Sequence, residues 1–366
     1  MNLGKLMLLV QNVPDTRRKS GNFRHKLSDI IVIAICATVC GSPGPNGMET
    51  FGLELQKYFK RFLELPYGIP SADTFERILA KVCPDEFQKY VSQAQNLIHE
   101  KWKNINIDGK TMRGSGNNKH DPYHIVSAWC KEKSMTLCQV ATDEKSNEIT
   151  AIPKLLDLIN IKGDIVTIDA MGCQREIAKK ITLKKADYVL AVKGNQGTLH
   201  DLIKDYYETT SDKTVHTEHS KSRGRIEKRE YCLCNDVKWL DDGKWANLQG
   251  IGMVKSTVTQ KEKVTTATRY YITSLKDGTK FAESVRSHWS IENNLHWTLD
   301  VLFGEDKHHA KKDNLPKNLN ILRKIALTLL HGLEVKKKNA SLKMKMLSCS
   351  LNPEEYLDKL FGRQAA

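Results

Sequence analysis

The sequence lacks any hydrophobic run long enough to cross a membrane. Its most apolar stretch, residues 30–39, is shorter than the ~20 residues that a spanning helix needs. A single lysine precedes the apolar residues 6–10, and no small-residue cleavage site follows them, so a secretory signal is not expected. These absences predict a cytoplasmic protein.

The nine cysteines form no Cys-x-x-Cys pair and have no regular spacing. Several of them, such as Cys36 and Cys138, fall inside apolar runs, where cysteine behaves as a small hydrophobic residue. Neither a disulfide framework nor a structural zinc site is therefore expected. The sequence also lacks a Gly-x-Ser-x-Gly segment, which disfavours a serine nucleophile.

Acidic residues are fewer than basic residues. The sequence has 57 Lys and Arg residues against 43 Asp and Glu residues, which gives a net charge of +14. A surplus of this size favours a polyanionic partner, either nucleic acid or an anionic membrane surface, although simple solubility also explains it. With 366 residues, of which 40% are hydrophobic, the chain can form a sizeable core, and its length predicts two or three domains.

Residues 1–98 are predicted to be helical, because apolar residues recur with a helical period between loops rich in glycine and proline. Arg17 and Arg18 lie in a basic stretch near the start. We interpret the region as a small helical DNA-binding domain. The alternative is a helical domain that only packs against its neighbour.

Residues 99–199 have a different pattern, in which short apolar strands come first and amphipathic helices then separate later strands. The order is three strands, a helix, a strand, a helix and a fifth strand. Close spacing suits antiparallel hairpins for the first three, whereas the later strands need helical crossovers, so we predict an α/β fold with a mixed sheet. Residues 200–278 are interpreted as a β-rich insertion. Residues 279–366 complete the core with a long helix at 280–302 and a basic helical tail.

Two aspartates are expected where strands end, Asp108 after the first strand and Asp169 after the fourth. Ligands gather at the carboxyl ends of neighbouring strands, and two carboxylates placed there repel each other unless a cation lies between them. Carboxylate oxygens suit Mg²⁺ and Mn²⁺. The structural alternatives are that Asp108-Gly109 is a turn and that Asp169 caps the following helix.

Glu292 is the third candidate. It lies within the predicted helix at 280–302, and Val285, Trp289 and Leu299 surround it at helical spacings. We therefore expect it in the middle of an apolar stripe, where an unpaired charge is costly. A metal site fed by the two aspartates provides the missing cation. A salt bridge to a lysine or arginine at the edge of the core is the alternative.

Two strand-borne aspartates and a glutamate on a later helix form the arrangement of ribonuclease H-like nucleotidyl transferases. The sequence also resembles the DDE transposases of the H-repeat-associated insertion-sequence family, almost from end to end. The blocks that carry the resemblance include Pro14-Asp15-x-Arg17, Ile107-Asp108-Gly109-Lys110-Thr111, Asp143-Glu144-Lys145-Ser146-Asn147-Glu148-Ile149, Asp169-Ala170-Met171, Lys193-Gly194-Asn195-Gln196, Ser222-Arg223-Gly224-Arg225-x-Glu227 and His288-Trp289-x-Ile291-Glu292-Asn293.

The resemblance implies a ribonuclease H-like core that cleaves DNA and transfers strands at the ends of its own element. It assigns Asp108, Asp169 and Glu292 as the catalytic triad, holding two Mg²⁺ or Mn²⁺ ions. The implied partners are terminal inverted repeats and target DNA, bound by a homodimer in the bacterial cytoplasm, at the nucleoid. A metal-dependent nuclease without strand transfer and an inactive DNA-binding relic are the alternatives.

The sequence departs from the related transposases around Glu292. They have a tyrosine and an arginine before the glutamate and a lysine after it, whereas this chain has Val285, His288 and Leu299 at those offsets. The phosphate-gripping role of that signature is therefore predicted to pass to His288, His296 or Arg286.

Two basic loops are further candidates for DNA contact. Lys193 and Asn195 follow the fifth strand, and they either contact phosphates or only form a turn. Arg223 and Arg225 flank a glycine in a basic loop, which suits phosphate contacts, although a solvated charged hairpin is nearly as consistent with the pattern.

Overall fold

A computed structural model describes residues 7, 10–15, 17, 24–42, 44–96, 101–116, 121–142, 148–210, 215–222, 224–240, 243–261 and 263–362. Two of the predicted DNA contacts, Arg18 and Arg223, lie outside the described residues. In chain order, the helices are α1 Leu27–Val39, α2 Pro45–Glu54, α3 Gln56–Phe59, α4 Ala72–Lys81, α5 Pro84–Asn96, α6 Glu148–Asp157, α7 Arg175–Leu183, α8 Gly197–Thr209, α9 Gly278–Ser290, α10 Trp297–Val301, α11 Leu315–Gly332, α12 Leu342–Leu351 and α13 Pro353–Phe361.

Five strands form one half of the sheet, in the spatial order β3-β2-β1-β4-β5. The first three pair antiparallel, and β4 and β5 join parallel to β1, so the predicted mixed sheet is confirmed. Helical crossovers carry the chain between the parallel strands, as their geometry requires. The five strands are β1 Asn104–Thr111, β2 His124–Cys130, β3 Met135–Thr142, β4 Ile165–Ile168 and β5 Asp187–Val192.

The β-rich region extends this sheet. Its last strand pairs antiparallel with β5, with Val189 opposite Thr273. Within the described residues, the sheet then has nine strands in the order β3-β2-β1-β4-β5-β9-β8-β7-β6. Hairpin pairing continues through the four added strands. They are β6 Val215–Ser222, β7 Arg225–Cys234, β8 Gly250–Gln260 and β9 Lys263–Thr273.

The N-terminal helices share a hydrophobic core with the C-terminal ones. Helix α1 is apolar on all sides, and every residue in it except Ser28 is buried. It packs against α11, and a single cluster of buried side chains combines residues 10–91 with residues 315–361. Apolar burial of this extent stabilises both regions together. No helix in the described part of the chain is long and apolar enough to span a membrane.

The long helix predicted at 280–302 is interrupted. Helix α9 ends at Ser290, the segment Ile291–His296 is a π-helix, and α10 follows directly. A π-helix contains more residues per turn than an α-helix, so it rotates the following side chains around the axis. Leu295 and Leu299 of the predicted apolar stripe are buried, but the predicted position of Glu292 within that stripe is wrong, as shown below.

Candidate active site

Asp108 and Asp169 lie side by side on neighbouring strands. Strands β1 and β4 are parallel with Ile107 opposite Ile168, and each aspartate is the next residue along its strand. The two carboxylates therefore lie next to each other where β4 ends, as predicted. The turn expected at Gly109 is wrong, because β1 continues to Thr111 and Asp108 pairs with Ser127 of β2.

The two carboxylates repel each other electrostatically. Burial disfavours the charged form and the Asp169 charge repels it, which together raise the pKa of Asp108 to about 7. The charges of Glu292 and Glu148 raise it further. Burial, followed by the charge of Glu148, also raises the pKa of Asp169. Buried acids that repel one another favour a bound cation.

Asp169 also has the structural role considered from the sequence. Its Oδ1 accepts a hydrogen bond from the backbone N–H of Met171 at 3.1 Å and caps a short 3₁₀ turn, Ala170–Gly172. The backbone N–H of Gly172 contributes in the same sense, and both lower its pKa. This cap fixes the carboxylate at the edge of the sheet, so the capping and the metal-binding interpretations are compatible.

A buried polar network joins α9 to the strands that carry the aspartates. The Asn106 amide donates to the hydroxyls of Ser287 and Ser290, at 3.2 and 3.3 Å. The Thr167 hydroxyl is 2.8 Å from both Asn106 Oδ1 and His288 Nδ1. Such a network holds the helix at a fixed register on the sheet. It therefore determines where Glu292, just beyond α9, is presented.

Glu292 is exposed, in contrast to the buried stripe predicted for it. It is the second residue of the π-helical segment and faces a groove that Arg286, Trp289 and Asn293 also line. It remains within electrostatic reach of Asp108. Among the described residues, no group of three His, Cys, Asp or Glu side chains is close enough to enclose an ion. The structure thus brings the two aspartates together but leaves Glu292 at the rim.

The groove beside Glu292 has a volume of about 910 Å³. One face of β6–β9 forms its floor and α9 forms a wall, and the lining includes Arg225, Arg229, Arg269 and Arg286. The Arg269 guanidinium lies over the Trp289 ring, 4.8 Å from its centroid. Arginines combined with aromatic rings and hydroxyls suit a phosphodiester chain.

His296 and His288 lie beside the two aspartates, on the side that faces the protein interior. Nδ1 of His296 is 3.6 Å from Oδ2 of Asp108, and burial, with help from Lys324 and Lys110, lowers its pKa to about 3. Burial also lowers the pKa of His288 to about 4, with Lys193 contributing. Both imidazoles are therefore neutral near pH 7. Their predicted phosphate contacts stay predictions.

The other predicted DNA contacts are spread over the surface. Lys193 is exposed after β5, and its charge lowers the pKa of Asp169, so it lies near the same sheet edge. Asn195 is exposed, and its amide donates to the Ala170 carbonyl at 2.6 Å, which supports the loop after Asp169. Arg225 lines the groove, 3.6 Å from Glu227. Arg17 binds Asp15 and the His25 carbonyl, in the N-terminal segment.

Sequence reasoning missed two groups of residues beside the aspartates. Lys110 is bound by Asp300 at 2.8 Å, by Asp306 at 3.1 Å and by Glu305 at 3.3 Å. Glu148 is buried and acts electrostatically on both aspartates. Glutamate is common in the first turn of a helix, where it interacts favourably with the helix dipole. Because that role is common, the sequence pattern did not single out Glu148, although it lies in one of the family blocks quoted above.

Two family models match the chain. The one described as DDE_Tnp_1-associated matches residues 8–93, and the one described as Transposase DDE domain matches residues 102–329. Putative transposase YncI of Escherichia coli O157:H7 is 36% identical over 370 residues, covering 96% of this chain and 93% of that protein. H repeat-associated putative transposase YhhI of Escherichia coli strain K12 is 35% identical over 367 residues, covering 96% and 97%.

A solved structure of the piggyBac transposase in a synaptic complex with hairpin DNA aligns with 99% of this chain and 80% of that one. Its TM-score is 0.46 and its sequence identity is 10%, a similarity too weak to support an argument. The family models and the relatives are sufficient. The chain belongs to the DDE transposase family.

The protein is thus an insertion-sequence transposase, an enzyme with a mixed sheet and DNA as its partner. Enzymes of this family generally depend on divalent metal ions. The adjacent carboxylates of Asp108 and Asp169 fit such an ion, because they are hard oxygen donors whose mutual repulsion a cation relieves. The full ligand set is not preassembled in the described residues.

Proposed function

We propose that this transposase cuts DNA at the terminal inverted repeats of its own element and joins the ends to target DNA, using two Mg²⁺ or Mn²⁺ ions held by Asp108, Asp169 and Glu292. The observation that carries the proposal is the pairing of Asp108 and Asp169 on adjacent parallel strands, where the pKa of Asp108 is raised to about 7. Two buried carboxylates that repel each other are costly unless they bind a cation.

The side chains around the pair have distinct roles in this proposal. When bound, the divalent ions supply Lewis-acid activation and charge stabilisation to phosphodiester cleavage. Asp108 and Asp169 are the fixed donors, since a strand and a backbone cap hold them. Glu292 comes from the exposed π-helical segment and completes the donor set from the side of the groove. Neutral His296 orients the Asp108 carboxylate.

DNA is proposed to approach along the groove and the loop after β5. Arg269 and Arg286 line the groove, and Lys193 is exposed near Asp169. In the part of the chain that the structure describes, neither Arg269 nor Arg286 has a carboxylate within 4.0 Å. Both guanidinium groups are therefore available to phosphates. We place the reaction on nucleoid DNA in the bacterial cytoplasm, with a homodimer pairing the two element ends.

The test is incubation of the purified protein with labelled element ends, target plasmid and Mn²⁺, followed by sequencing of every product. Joined products that disappear in excess chelator, while DNA binding persists, are expected. Cleaved ends that are never joined would instead identify a metal-dependent nuclease. Binding without any cleavage would identify an inactive relic, and undiminished cleavage in excess chelator would exclude the two-metal mechanism.

A further inference from the structure

Glu148 is a buried glutamate next to the two aspartates. It is the first residue of α6 and only 4% exposed. Its Oε1 is 2.6 Å from Nε2 of His124, a β2 residue that is 2% exposed, and Nδ1 of that imidazole is 3.0 Å from the Thr111 hydroxyl. This chain of contacts fixes one carboxylate oxygen. Within the described residues, no hydrogen bond holds the other, Oε2.

The residue after Asp108 leaves room for this carboxylate. A Cβ atom at Gly109 would lie 2.5 Å from Glu148 Oε1, well inside van der Waals contact, and it would also collide with the His124 ring. Any side chain at position 109 would therefore displace Glu148 from the aspartates. A glycine in the middle of a strand weakens the strand, and it commonly marks a close approach. Here the approaching group is a carboxylate.

The packing places Glu148 beside both aspartates: it lies against Gly109, the residue after Asp108, and α6, which it begins, contacts the 3₁₀ turn Ala170–Gly172 that Asp169 caps. A glutamate needed only to start a helix or bind a histidine gains nothing from two buried acids of the same charge nearby. Its position is costly without a cation and favourable with one.

We propose that Glu148 is a fourth carboxylate of the metal site, with His124 holding Oε1 so that Oε2 is directed to the cation. This inference rests on the proposed two-metal function and adds a ligand to its donor set. His124 is then a positioning residue, since a hydrogen bond to a ligating carboxylate fixes its orientation. The close approach at Gly109, the burial of Glu148 and the packing of α6 beside the turn that Asp169 caps support the same assignment.

The test measures Mn²⁺ binding to the full-length protein by electron paramagnetic resonance, without DNA or turnover. Glu148→Gln keeps the shape and can still bind His124, and we expect it to weaken Mn²⁺ binding by at least ~10-fold. Glu176→Gln, at an exposed position on α7, is the matched control and should bind like the wild type. Asp169→Asn tests the metal site itself and should abolish binding.

The outcomes separate the two proposals. If Glu148→Gln binds Mn²⁺ as the wild type does while Asp169→Asn does not, the metal site stands and the role of Glu148 is refuted. If Asp169→Asn also binds normally, the proposed function fails first. A second variant, Glu148→Cys, covers the case in which Glu148→Gln does not fold.

A thiolate at position 148 would favour Cd²⁺ over Mn²⁺. We expect Glu148→Cys to gain Cd²⁺–thiolate absorption beyond that of the nine native cysteines, and Asp169→Asn in the same background should remove it. A Glu148→Cys protein that gains no such absorption and keeps wild-type Mn²⁺ affinity contradicts the proposal, because a purely structural residue would give that result.

Discussion

Nδ1 of His296 faces Oδ2 of Asp108 at 3.6 Å, while its other ring nitrogen, Nε2, is buried without a hydrogen-bond partner among the described residues. Burial lowers the pKa of this imidazole to about 3, so it is neutral at physiological pH. A neutral imidazole facing a carboxylate carries its proton on the facing nitrogen. His296 is therefore placed to orient the Asp108 carboxylate, whereas the sequence suggested contact with phosphates.

The first prediction separates these two roles. His296→Phe keeps a ring in the cavity and removes the buried nitrogen that lacks a partner, so the fold should be retained. We expect Mn²⁺ affinity to fall by about 10-fold, as is typical when a residue behind a ligand is lost, while DNA affinity is unchanged. Calorimetry and a DNA-binding assay on the same protein measure both. Weaker DNA binding with unchanged Mn²⁺ affinity would restore the phosphate contact.

The second prediction concerns the third member of the triad. Glu292→Gln removes the charge but keeps the shape of an exposed side chain, so DNA binding should survive while strand cleavage falls by orders of magnitude. Asp300→Asn is the matched control. Asp300 is bound to Lys110 at 2.8 Å and lies eight residues later, so it should keep measurable cleavage.

Gel analysis of labelled element ends measures both variants at equal protein concentration. An active Glu292→Gln together with an inactive Asp300→Asn would show that the third ligand is misplaced. It would also turn attention to the acidic cluster around Lys110, which Glu305 and Asp306 share with Asp300.

The third prediction concerns the groove. Arg286→Gln and Arg269→Gln should each weaken DNA binding and reduce the slope of log affinity against log salt by about one, because one phosphate contact is lost. Lys359→Gln removes an exposed charge that is paired with Glu355 on α13, and it should leave the slope unchanged. Equal slopes for all three variants would place the DNA away from the groove.

The strands that carry the aspartates could be predicted because each is a short apolar run with a clear boundary. Two local errors have physical causes. Asp108-Gly109 resembles a turn, but the glycine serves to admit Glu148, and nothing local indicates that approach. The π-helical segment shifts Glu292 to an exposed position. A prediction that assumes 3.6 residues per turn cannot detect this shift.

Contacts between residues far apart in the sequence were harder to predict. Glu148 and His124 meet because α6 packs beside β2, and no sequence spacing encodes that contact. Helix α1 is apolar on all sides, which predicts burial but not that α11, nearly 300 residues later, covers it. The domain boundaries expected from the sequence stay predictions. Since α1 and α11 share a core, DNA binding by the N-terminal region is best tested in the full chain.

The last prediction concerns Lys324, a buried lysine on α11. Its ammonium donates to the Ser127 hydroxyl at 2.7 Å, and Ser127 is the cross-strand partner of Asp108. Burial lowers its pKa to about 7, although Glu305 opposes the shift. The unfolded chain keeps this proton up to the ordinary pKa of 10.5, so between pH 7 and 10.5 the unfolded state binds more protons. The contribution of Lys324 to stability therefore rises with pH in this window.

Lys324→Met removes the titrating group and keeps a side chain of similar length. Relative to this variant, the wild type should gain up to about 1.4 kcal/mol of unfolding free energy per pH unit between pH 7.5 and 8.5. The nine cysteines also titrate in the unfolded state within this range, but they are the same in both proteins, so their contribution cancels in the difference. Denaturant unfolding at the two pH values measures the difference, with Lys337→Met, at an exposed position, as the control. If the wild type and Lys324→Met differ by the same amount at both pH values, Lys324 is charged in the fold. Its interaction with Glu305 then outweighs the cost of burial.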